Sequence, residues 1–302
     1  MTEQAYHIPA LLPEVIQGLN INPDGIYVDV TYGGGGHSRA IVDSLSPKGH
    51  LYGMDQDLDA VSRAMVDPRF TIIRGNFRFI GNFLRFYGVD SVDGILADLG
   101  VSFHHFDDPA RGFSFRWEGP LDMRMNQSAP TDAAKILADY PEERLADIFH
   151  LYGELKSARR IASAIVKARQ TAPVDTVERL LSTASPMINP RQEKKELAQL
   201  FQSLRIEVNG EIDALKALLS ASLKALKPGG RLAVITYHSL EDRLVKNFMR
   251  DGDFSGTPQK DFYGRSLAPM KLLNSKPITA SDSEVERNPR SRSAKLRIAQ
   301  KL

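Results

Sequence analysis

The 302-residue chain contains no cysteine and no long apolar run. The absence of cysteine excludes disulfides, thiolate metal ligands and a cysteine nucleophile. No stretch approaches the roughly 18 consecutive apolar residues of a membrane-spanning helix, and the first residues lack the basic and apolar regions of a secretory signal. With 42% hydrophobic and 25% charged residues the composition is that of a globular protein, and we predict a cytoplasmic location.

The stretch around which the chain is organised is Ile26-Tyr-Val-Asp-Val-Thr-Tyr-Gly-Gly-Gly-Gly-His-Ser38. Residues 26–31 are rich in β-formers and predict a buried strand, and a helix is predicted from Ser38. A strand, a glycine turn and a helix start allow backbone N–H groups to approach a cofactor without intervening side chains. Asp55 follows the next apolar run about 20 residues further on, where a carboxylate can bind ribose hydroxyls. The pattern therefore predicts a nucleotide-type cofactor.

Strand-like and helical patterns alternate in the first and last thirds of the chain, which is typical of an α/β fold with a mostly parallel sheet and helices on both faces. Besides 26–31, the predicted strands are 51–54, 70–73, 93–97, 231–237 and 294–299, with a turn at 227–230. Ligands of such sheets bind beyond the carboxyl ends of the strands. The side chains that fall at this edge are those of Asp29, Asp55, Phe77 and Asp98.

The alternating pattern is interrupted in the middle of the chain. Residues 99–130 are loop-like and rich in charged and aromatic residues, and every pattern from about Thr131 to Val208 is helical. We therefore predict a core formed by residues 1–103 and 210–302. Residues 104–209 are predicted to form an inserted loop and helical domain for substrate recognition.

Seven longer strings stand out along the chain. They are Asp29-Val-Thr-Tyr-Gly-Gly-Gly-Gly-His-Ser38, Asp98-Leu-Gly-Val-Ser102, Arg111-Gly-Phe-Ser-Phe115, Gly119-Pro-Leu-Asp-Met-Arg-Met125, Phe201-Gln-Ser-Leu-Arg-Ile-Glu-Val-Asn209, His238-Ser-Leu-Glu-Asp-Arg243 and Asn288-Pro-Arg-Ser-Arg-Ser293. In this order they resemble the MraW/RsmH family, the small-subunit ribosomal RNA cytosine-N(4) methyltransferases. The resemblance spans nearly the whole chain.

The resemblance implies a class I S-adenosylmethionine (SAM) methyltransferase, with a Rossmann-like core and an inserted helical domain. It implies transfer of a methyl group from SAM to the exocyclic N(4) of one cytidine in the decoding region of 16S ribosomal RNA. The implied partner is this RNA, within the small ribosomal subunit and away from membranes; a homodimer is left open. The implied cofactor contacts are Gly35, Gly36, His37, Asp55, Phe77, Asp98 and His105.

This sequence departs from the family pattern in two places that matter for the site, a three-residue string and a single residue. Phe103-His-His105 replaces the more usual Ser-Pro-Gln, so the contact assigned to His105 is usually made by glutamine. Tyr237 stands where phenylalanine is usual. Both departures leave the implied reaction class unchanged.

Methylation of a cytosine amino group requires an acceptor that holds an N–H and pulls the nitrogen toward tetrahedral geometry. Asp98 is the candidate catalytic residue by its location, and the alternative is a carboxylate that only caps a loop or contacts the cofactor. His238, after the fifth strand, is a weaker candidate to face the base, while Ser239 and Asp242 fit a helix cap. The absence of cysteine excludes the covalent adduct of pyrimidine carbon-5 methylation. No cluster of metal ligands is predicted.

The formal charge is only +2, but basic residues are clustered near the end of the chain. Residues 287–302 contain no acidic residue, and we predict that Arg290, Arg292 and Lys295 contact RNA phosphates. Two other classes stay open on the residues alone. One is a dinucleotide-dependent oxidoreductase, and the other is a non-catalytic ribosome-assembly factor that binds RNA and retains SAM.

Overall fold

The computed structural model describes residues 9–100, 106, 108–258, 261–264 and 267–302. The chain divides into two compact units, Met1–Gly100 with Ile212–Leu302, and Val101–Glu211. His105, one of the implied cofactor contacts, lies outside the described residues. The helices in chain order are α1 (Leu12–Leu19), α2 (Gly36–Asp43), α3 (Leu58–Ser62), α4 (Ile80–Phe86), α5 (Ala133–Asp139), α6 (Glu142–Leu151), α7 (Ala158–Ala168), α8 (Val177–Ala184), α9 (Glu193–Asn209), α10 (Glu211–Ala225), α11 (Ser239–Asp251) and α12 (Asp282–Arg287).

The first unit is built on one sheet. Its strands are β1 (Ile26–Asp29), β2 (His50–Asp55), β3 (Phe70–Arg74), β4 (Val92–Asp98), β5 (Leu226–Thr236), β6 (Met270–Leu272), β7 (Ile278–Thr279) and β8 (Lys295–Lys301). Over the described residues the order is β3-β2-β1-β4-β5-β8-β6, with β7 also paired to β8. Neighbours from β3 to β5 are parallel, whereas β8 runs antiparallel to β5, β6 and β7. The predicted α/β fold with a mostly parallel sheet is confirmed.

Each face of this sheet buries its own apolar core, because successive side chains of a strand point to opposite faces. Within β4, Ile95 packs in the core that contains Leu84 of α4. Its neighbour Leu96 packs in the other core, with Val15 of α1 and Ile41 of α2. Both faces are thus covered by helices, as a mostly parallel sheet requires.

The second unit has an apolar core of its own, formed by the helices α5 to α9. Phe149 of α6, Ile161 of α7 and Leu200 of α9 are buried in it. The loop before α5 also contributes, since Leu121 and Met123 are buried in the same core. The helical pattern predicted for this part of the chain is therefore found in the structure.

Several predicted boundaries in the first unit are wrong, three of them at the glycine-rich segments. The strand predicted over 26–31 ends at Asp29, and the helix predicted from Ser38 begins at Gly36. The turn predicted at 227–230 lies inside β5, where pairing with β4 passes from Leu226 to Arg231. These four residues bulge out and Gly229 takes a φ of 81°, after which pairing resumes. The glycines that indicated a turn form a bulge within one strand.

Candidate cofactor and active site

The carboxyl ends of β1 and β4 meet at the point where the order of the strands reverses. From β1 the chain goes to β2 on one side, and β4 returns on the other side. A doubly wound sheet opens a crevice at such a switch point, and ligands bind there. Asp29 ends β1 and Asp98 ends β4, so the structure brings both carboxylates to this crevice.

Asp29 is buried, with 1% of its surface exposed, and it is held by its own loop. Its carboxylate accepts hydrogen bonds from the Ser38 hydroxyl at 2.6 Å and from the Thr31 amide at 3.1 Å. Burial raises the pKa of Asp29, and these donors offset the effect only in part. The Thr31 hydroxyl also accepts a hydrogen bond from the Asp98 amide at 2.7 Å. The sequence placed Asp29 at this edge without a role. In the structure it holds Thr31, whose hydroxyl links the loop after β1 to the end of β4.

The glycine turn is shaped by close packing against the protein. Gly35 has a φ of 76°, and a Cβ there would lie 2.6 Å from the Tyr32 hydroxyl. A Cβ on Gly36 would lie 2.9 Å from the Pro9 ring. Larger side chains are therefore excluded at both positions. The turn ends at the start of α2, where the first backbone N–H groups of a helix have no partner within the helix.

His37 and Asp98 face each other in the crevice. His37 is 7% exposed, and its Nε2 lies 3.0 Å from the carbonyl oxygen of Ala10. A carbonyl only accepts hydrogen bonds, so Nε2 carries a proton. The other ring nitrogen, Nδ1, lies 3.9 Å from Oδ2 of Asp98. The ring is therefore fixed at one end and presents its second nitrogen to the carboxylate.

Asp98, like Asp29, has a raised pKa. Burial raises its pKa. This rise is offset only in part by the nearby His37 and by hydrogen bonds from the Tyr237 side chain and the Gly100 amide. The nearby Asp29 raises it further. The pKa of Tyr237 is also raised, by burial and by Asp98, so its hydroxyl stays protonated as a donor. The structure thus brings His37, Asp98 and Tyr237 together.

Asp55 and Phe77 follow the next two strands of the same edge. Asp55 braces the glycine turn, since its Oδ2 accepts a hydrogen bond from the Gly33 amide at 2.8 Å. Phe77 is partly buried and begins a short 3-10 turn after β3. The loops after β2 and β3 are joined because Asn76 donates to the Gln56 side chain at 2.9 Å. The carboxylate and the ring therefore lie on connected loops.

His238 caps the helix α11, and the predicted cap at Ser239 is wrong. His238 is the N-cap residue, and its Nδ1 accepts a hydrogen bond from the Glu241 amide at 3.5 Å. Glu241 accepts in return from the Tyr237 amide at 3.2 Å. This reciprocal arrangement is a capping box shifted by one residue. Asp242, predicted to belong to the cap, instead accepts from Arg297 at 2.6 Å.

The basic residues near the end of the chain fall into two groups. Arg290 and Arg292 are exposed on the 3-10 turn Pro289–Ser293. Arg297 is buried against Asp242, and Lys295 lies 3.8 Å from the same carboxylate. Because β8 begins opposite the end of β5, the exposed arginines lie at the carboxyl edge of the sheet.

In the second unit, the structure explains the aromatic residues of the string 111–115 and the charged residues of the string 119–125. The side chain of Phe113 is buried in the apolar core, and Phe115 packs on Phe201 with ring centroids 5.7 Å apart. Asp122 and Arg124 form an ion pair at 2.6 Å. The aromatic rings of this motif therefore serve core packing, and the ion pair stabilises the loop before α5.

Three features define a class I SAM-dependent methyltransferase. They are the strand order, the antiparallel strand β8 between β5 and β6, and the acidic side chains at the ends of β1, β2 and β4. The chain belongs to the MraW methylase family, whose sequence pattern matches residues 4–302. Both the predicted family and SAM as the cofactor are thereby confirmed.

Two curated relatives are similar over almost their full length. The ribosomal RNA small subunit methyltransferase H of Phocaeicola vulgatus is 59% identical over 299 residues, 99% of this chain and 98% of the relative. The protein of the same name from Parabacteroides distasonis is 58% identical over 301 residues, 99% of each chain. A solved structure of a putative rRNA methylase from Clostridium thermocellum is 11% identical, covers 98% of this chain and 100% of that chain, and has a TM-score of 0.46. Within the described residues, none of the helices has the length and apolar character needed to cross a membrane.

Proposed function

We propose that this protein transfers a methyl group from SAM to the exocyclic N(4) of a cytidine in the decoding region of 16S ribosomal RNA. The observation that carries the proposal is the partly buried Asp98 carboxylate, which faces His37 at the switch point of the sheet. The full-length relatives named small subunit ribosomal RNA methyltransferases support the RNA substrate. The absence of cysteine supports the amino group as acceptor, because carbon-5 methylation uses a thiol adduct.

The side chains at the edge fit an adenosine-containing cofactor. Asp55 offers a carboxylate for the ribose hydroxyls, as acids at this position of nucleotide-binding sheets do. Phe77 offers an aromatic ring for the adenine, and the turn at Gly35 and Gly36 offers backbone N–H groups at the start of α2. His37 lines the crevice between them and Asp98. When bound, SAM supplies the electrophilic methyl group.

Asp98 acts on the substrate amine in this proposal. The amino lone pair of cytosine is delocalised into the ring, so the nitrogen attacks poorly until an N–H is held and polarised. An ionised Asp98 accepts that N–H, and its raised pKa makes it a stronger acceptor than an exposed aspartate. The Tyr237 hydroxyl and His37 restrict the carboxylate to one orientation. Positioning of this kind contributes several kcal/mol of barrier lowering, roughly 7–11 in the best intramolecular cases.

The RNA must present an unpaired cytidine, because the amino group of a paired cytosine is engaged with the opposite base. A paired nucleotide would first have to be extruded from the helix to reach the crevice. Arg290 and Arg292 supply phosphate contacts at the same edge of the sheet, and Lys295 adds a weaker one beside Asp242. We assign recognition of the surrounding RNA, in the context of the small ribosomal subunit, to the inserted segment 104–209. His238 is left as a helix cap rather than a catalytic group.

Nucleoside mass spectrometry of 16S ribosomal RNA tests the proposal. RNA from cells that lack the gene should lose N(4)-methylcytidine, and the wild-type gene should restore it. The Asp98→Asn variant should not restore it, although the protein accumulates. An unchanged nucleoside profile in the deletion strain would contradict the enzymatic function and favour the non-catalytic assembly factor. A binding titration of SAM against NAD separates the oxidoreductase alternative.

A further inference from the structure

The segment that forms β3 and α4 is basic and aromatic. Residues 68–89 contain four arginines and no acidic residue. One of them, Arg69, pairs with Asp67 at 2.8 Å. The other three, Arg74, Arg78 and Arg85, are exposed, and no carboxylate among the described residues forms an ion pair with them. Their positive charge is therefore available to a partner.

The aromatic residues of α4 and the turn before it are also exposed. Phe86 is 81% exposed, Phe79 50% and Tyr87 40%. Phe79 and Phe86 are seven residues apart and so lie on one face of the helical segment. Ile80 and Leu84 are buried on the opposite face. Large exposed rings are costly in water, and such a concentration marks an interaction site.

The exposed rings and cations are close to one another. The Arg78 guanidinium lies 5.8 Å from the centre of the Phe79 ring. Phe86 and Tyr87 meet edge to face at 5.2 Å, and Tyr87 is supported by Tyr52 at 5.4 Å. An open groove of about 430 Å³ runs beside them, between β3 and α4, lined by Ile72, Ile73, Arg74, Asn82, Phe83, Phe86 and Tyr87.

We propose that this aromatic–arginine patch, defined as Arg74, Arg78, Phe79, Arg85, Phe86 and Tyr87, binds an unpaired strand of the substrate RNA. The inference rests on the proposed function and adds a second RNA contact to that of Arg290 and Arg292. Bases stack on the exposed rings while phosphates pair with the arginines, which is how proteins hold single strands without reading their sequence.

Charge decides between RNA and a second copy of the chain as the occupant. A two-fold dimer would place the same patch of each copy against the other. Three arginines would then face three arginines without any acidic residue between 68 and 89 to balance them. Like charges across an interface are unfavourable, whereas an RNA backbone supplies the opposite charge.

Fluorescence anisotropy with a single-stranded oligoribonucleotide and with a duplex of the same sequence tests the patch. Phe86→Ala should weaken binding of the single strand about tenfold, since loss of one stacked base costs roughly 1–3 kcal/mol. Binding of the duplex, whose bases are already stacked, should change little. Arg74→Ala and Arg85→Ala should each reduce the salt slope of single-strand binding by about 0.7. Ultraviolet crosslinking should attach the oligonucleotide to the peptide that contains Phe86.

Matched controls lie elsewhere in the same unit. Val66→Ala changes a side chain that is 99% exposed, and Lys224→Ala removes an exposed cation from α10. Both should bind RNA like the wild type, and all variants should keep the wild-type melting temperature.

The outcomes separate the two proposals. If Phe86→Ala binds the single strand as tightly as the wild type while the wild type methylates RNA, the patch is wrong and the proposed function stands. If the wild type neither binds nor methylates RNA, the proposed function has failed. If Phe86→Ala instead dissociates a dimer in sedimentation and leaves RNA affinity unchanged, the patch is a self-association surface and the RNA assignment is overturned.

Discussion

The two ends of the strand β4 carry aspartates that the protein uses in opposite ways. At the amino end, Asp93 accepts hydrogen bonds from the Ile26 amide at 2.8 Å and from Lys227 at 2.7 Å. At the carboxyl end, Asp98 has the same exposed fraction, 21%, but it faces the His37 ring at 3.9 Å instead of a lysine, and burial raises its pKa. Asp93 therefore has a structural role, because it links the start of β1 and Lys227 to β4. In the proposed function, the carboxylate of Asp98 accepts an N–H of the substrate amine.

Replacing Asp98 should give the largest effect. We expect Asp98→Asn to reduce the rate of methyl transfer roughly 100- to 10,000-fold, the range for loss of a positioned proton acceptor. Stability should not fall, because the amide removes a carboxylate whose ionised form is disfavoured by burial. Methyl incorporation into small-subunit RNA and thermal unfolding measure the two quantities. If Asp98→Asn lost stability but kept its rate per folded molecule, Asp98 would have a structural role like that of Asp93, and the contrast between the two ends of β4 would be wrong.

The reciprocal change at the amino end should affect stability alone. Asp93→Asn leaves the Ile26 amide and Lys227 without their carboxylate, and we expect a loss of about 1–2 kcal/mol in the free energy of unfolding. The lower part of the range for charged hydrogen bonds applies because the Lys227 side chain is 40% exposed. Urea unfolding measures the loss. The rate per folded molecule should match the wild type, and a large drop in that rate would contradict the structural role.

The pH dependence should distinguish the two ends further. The acceptor must be ionised, so the rate should fall as the pH drops through the raised pKa of Asp98, above the value of about 3.9 for an ordinary aspartate. Stability has the opposite sign, because an acid with a raised folded pKa loses its contribution as the pH rises through that pKa. Relative to Asp98→Asn, the wild type should therefore become less stable between about pH 3.9 and the raised pKa. Melting temperatures of both proteins across this range provide the measurement.

The smallest effects concern the cations at the two ends of β8. Arg290 and Arg292 are exposed at the carboxyl edge, whereas the Lys301 ammonium donates to the Leu226 carbonyl at the other end. Removing both arginines should reduce the salt slope of RNA binding by about 1.4, or 0.7 for each phosphate contact. Lys301→Met is the matched control and should leave the slope unchanged. Equal slopes for both variants would count against RNA contact by these arginines.

Most of the site at the carboxyl edge could be predicted from sequence. Strand patterns end at Asp55 and Asp98, and a parallel sheet brings such ends together whatever the details of the loops. The glycine turn could also be predicted from the sequence, because the left-handed conformation that Gly35 adopts is one that other residues avoid. Local order of apolar and turn residues was enough for these features.

Two of the three features that were missed depend on partners distant in sequence, and the third depends on the local path of the backbone. His238 and Ser239 are adjacent candidates for a helix cap, and only the path of the backbone decides between them. Asp242 is 55 residues from its partner Arg297, so the neighbouring sequence favoured a local cap. The proline and glycines after Lys227 have the composition of a turn, but pairing with β4 carries the strand through them. Tertiary hydrogen bonds overrode the local pattern at Asp242 and in β5.

The position of β8 has a consequence for protein synthesis. This strand is translated after the others, yet it lies inside the sheet between β5 and β6. Shortly before it, the side chain of Glu284 accepts a hydrogen bond from the Leu11 amide, next to the residue that holds His37. A chain that ended before β8 would thus leave a gap in the sheet, and it would hold the crevice beside His37 less firmly. The helical unit, in contrast, would already be translated in full. A stop codon just before Lys295 should therefore be as damaging as one much earlier.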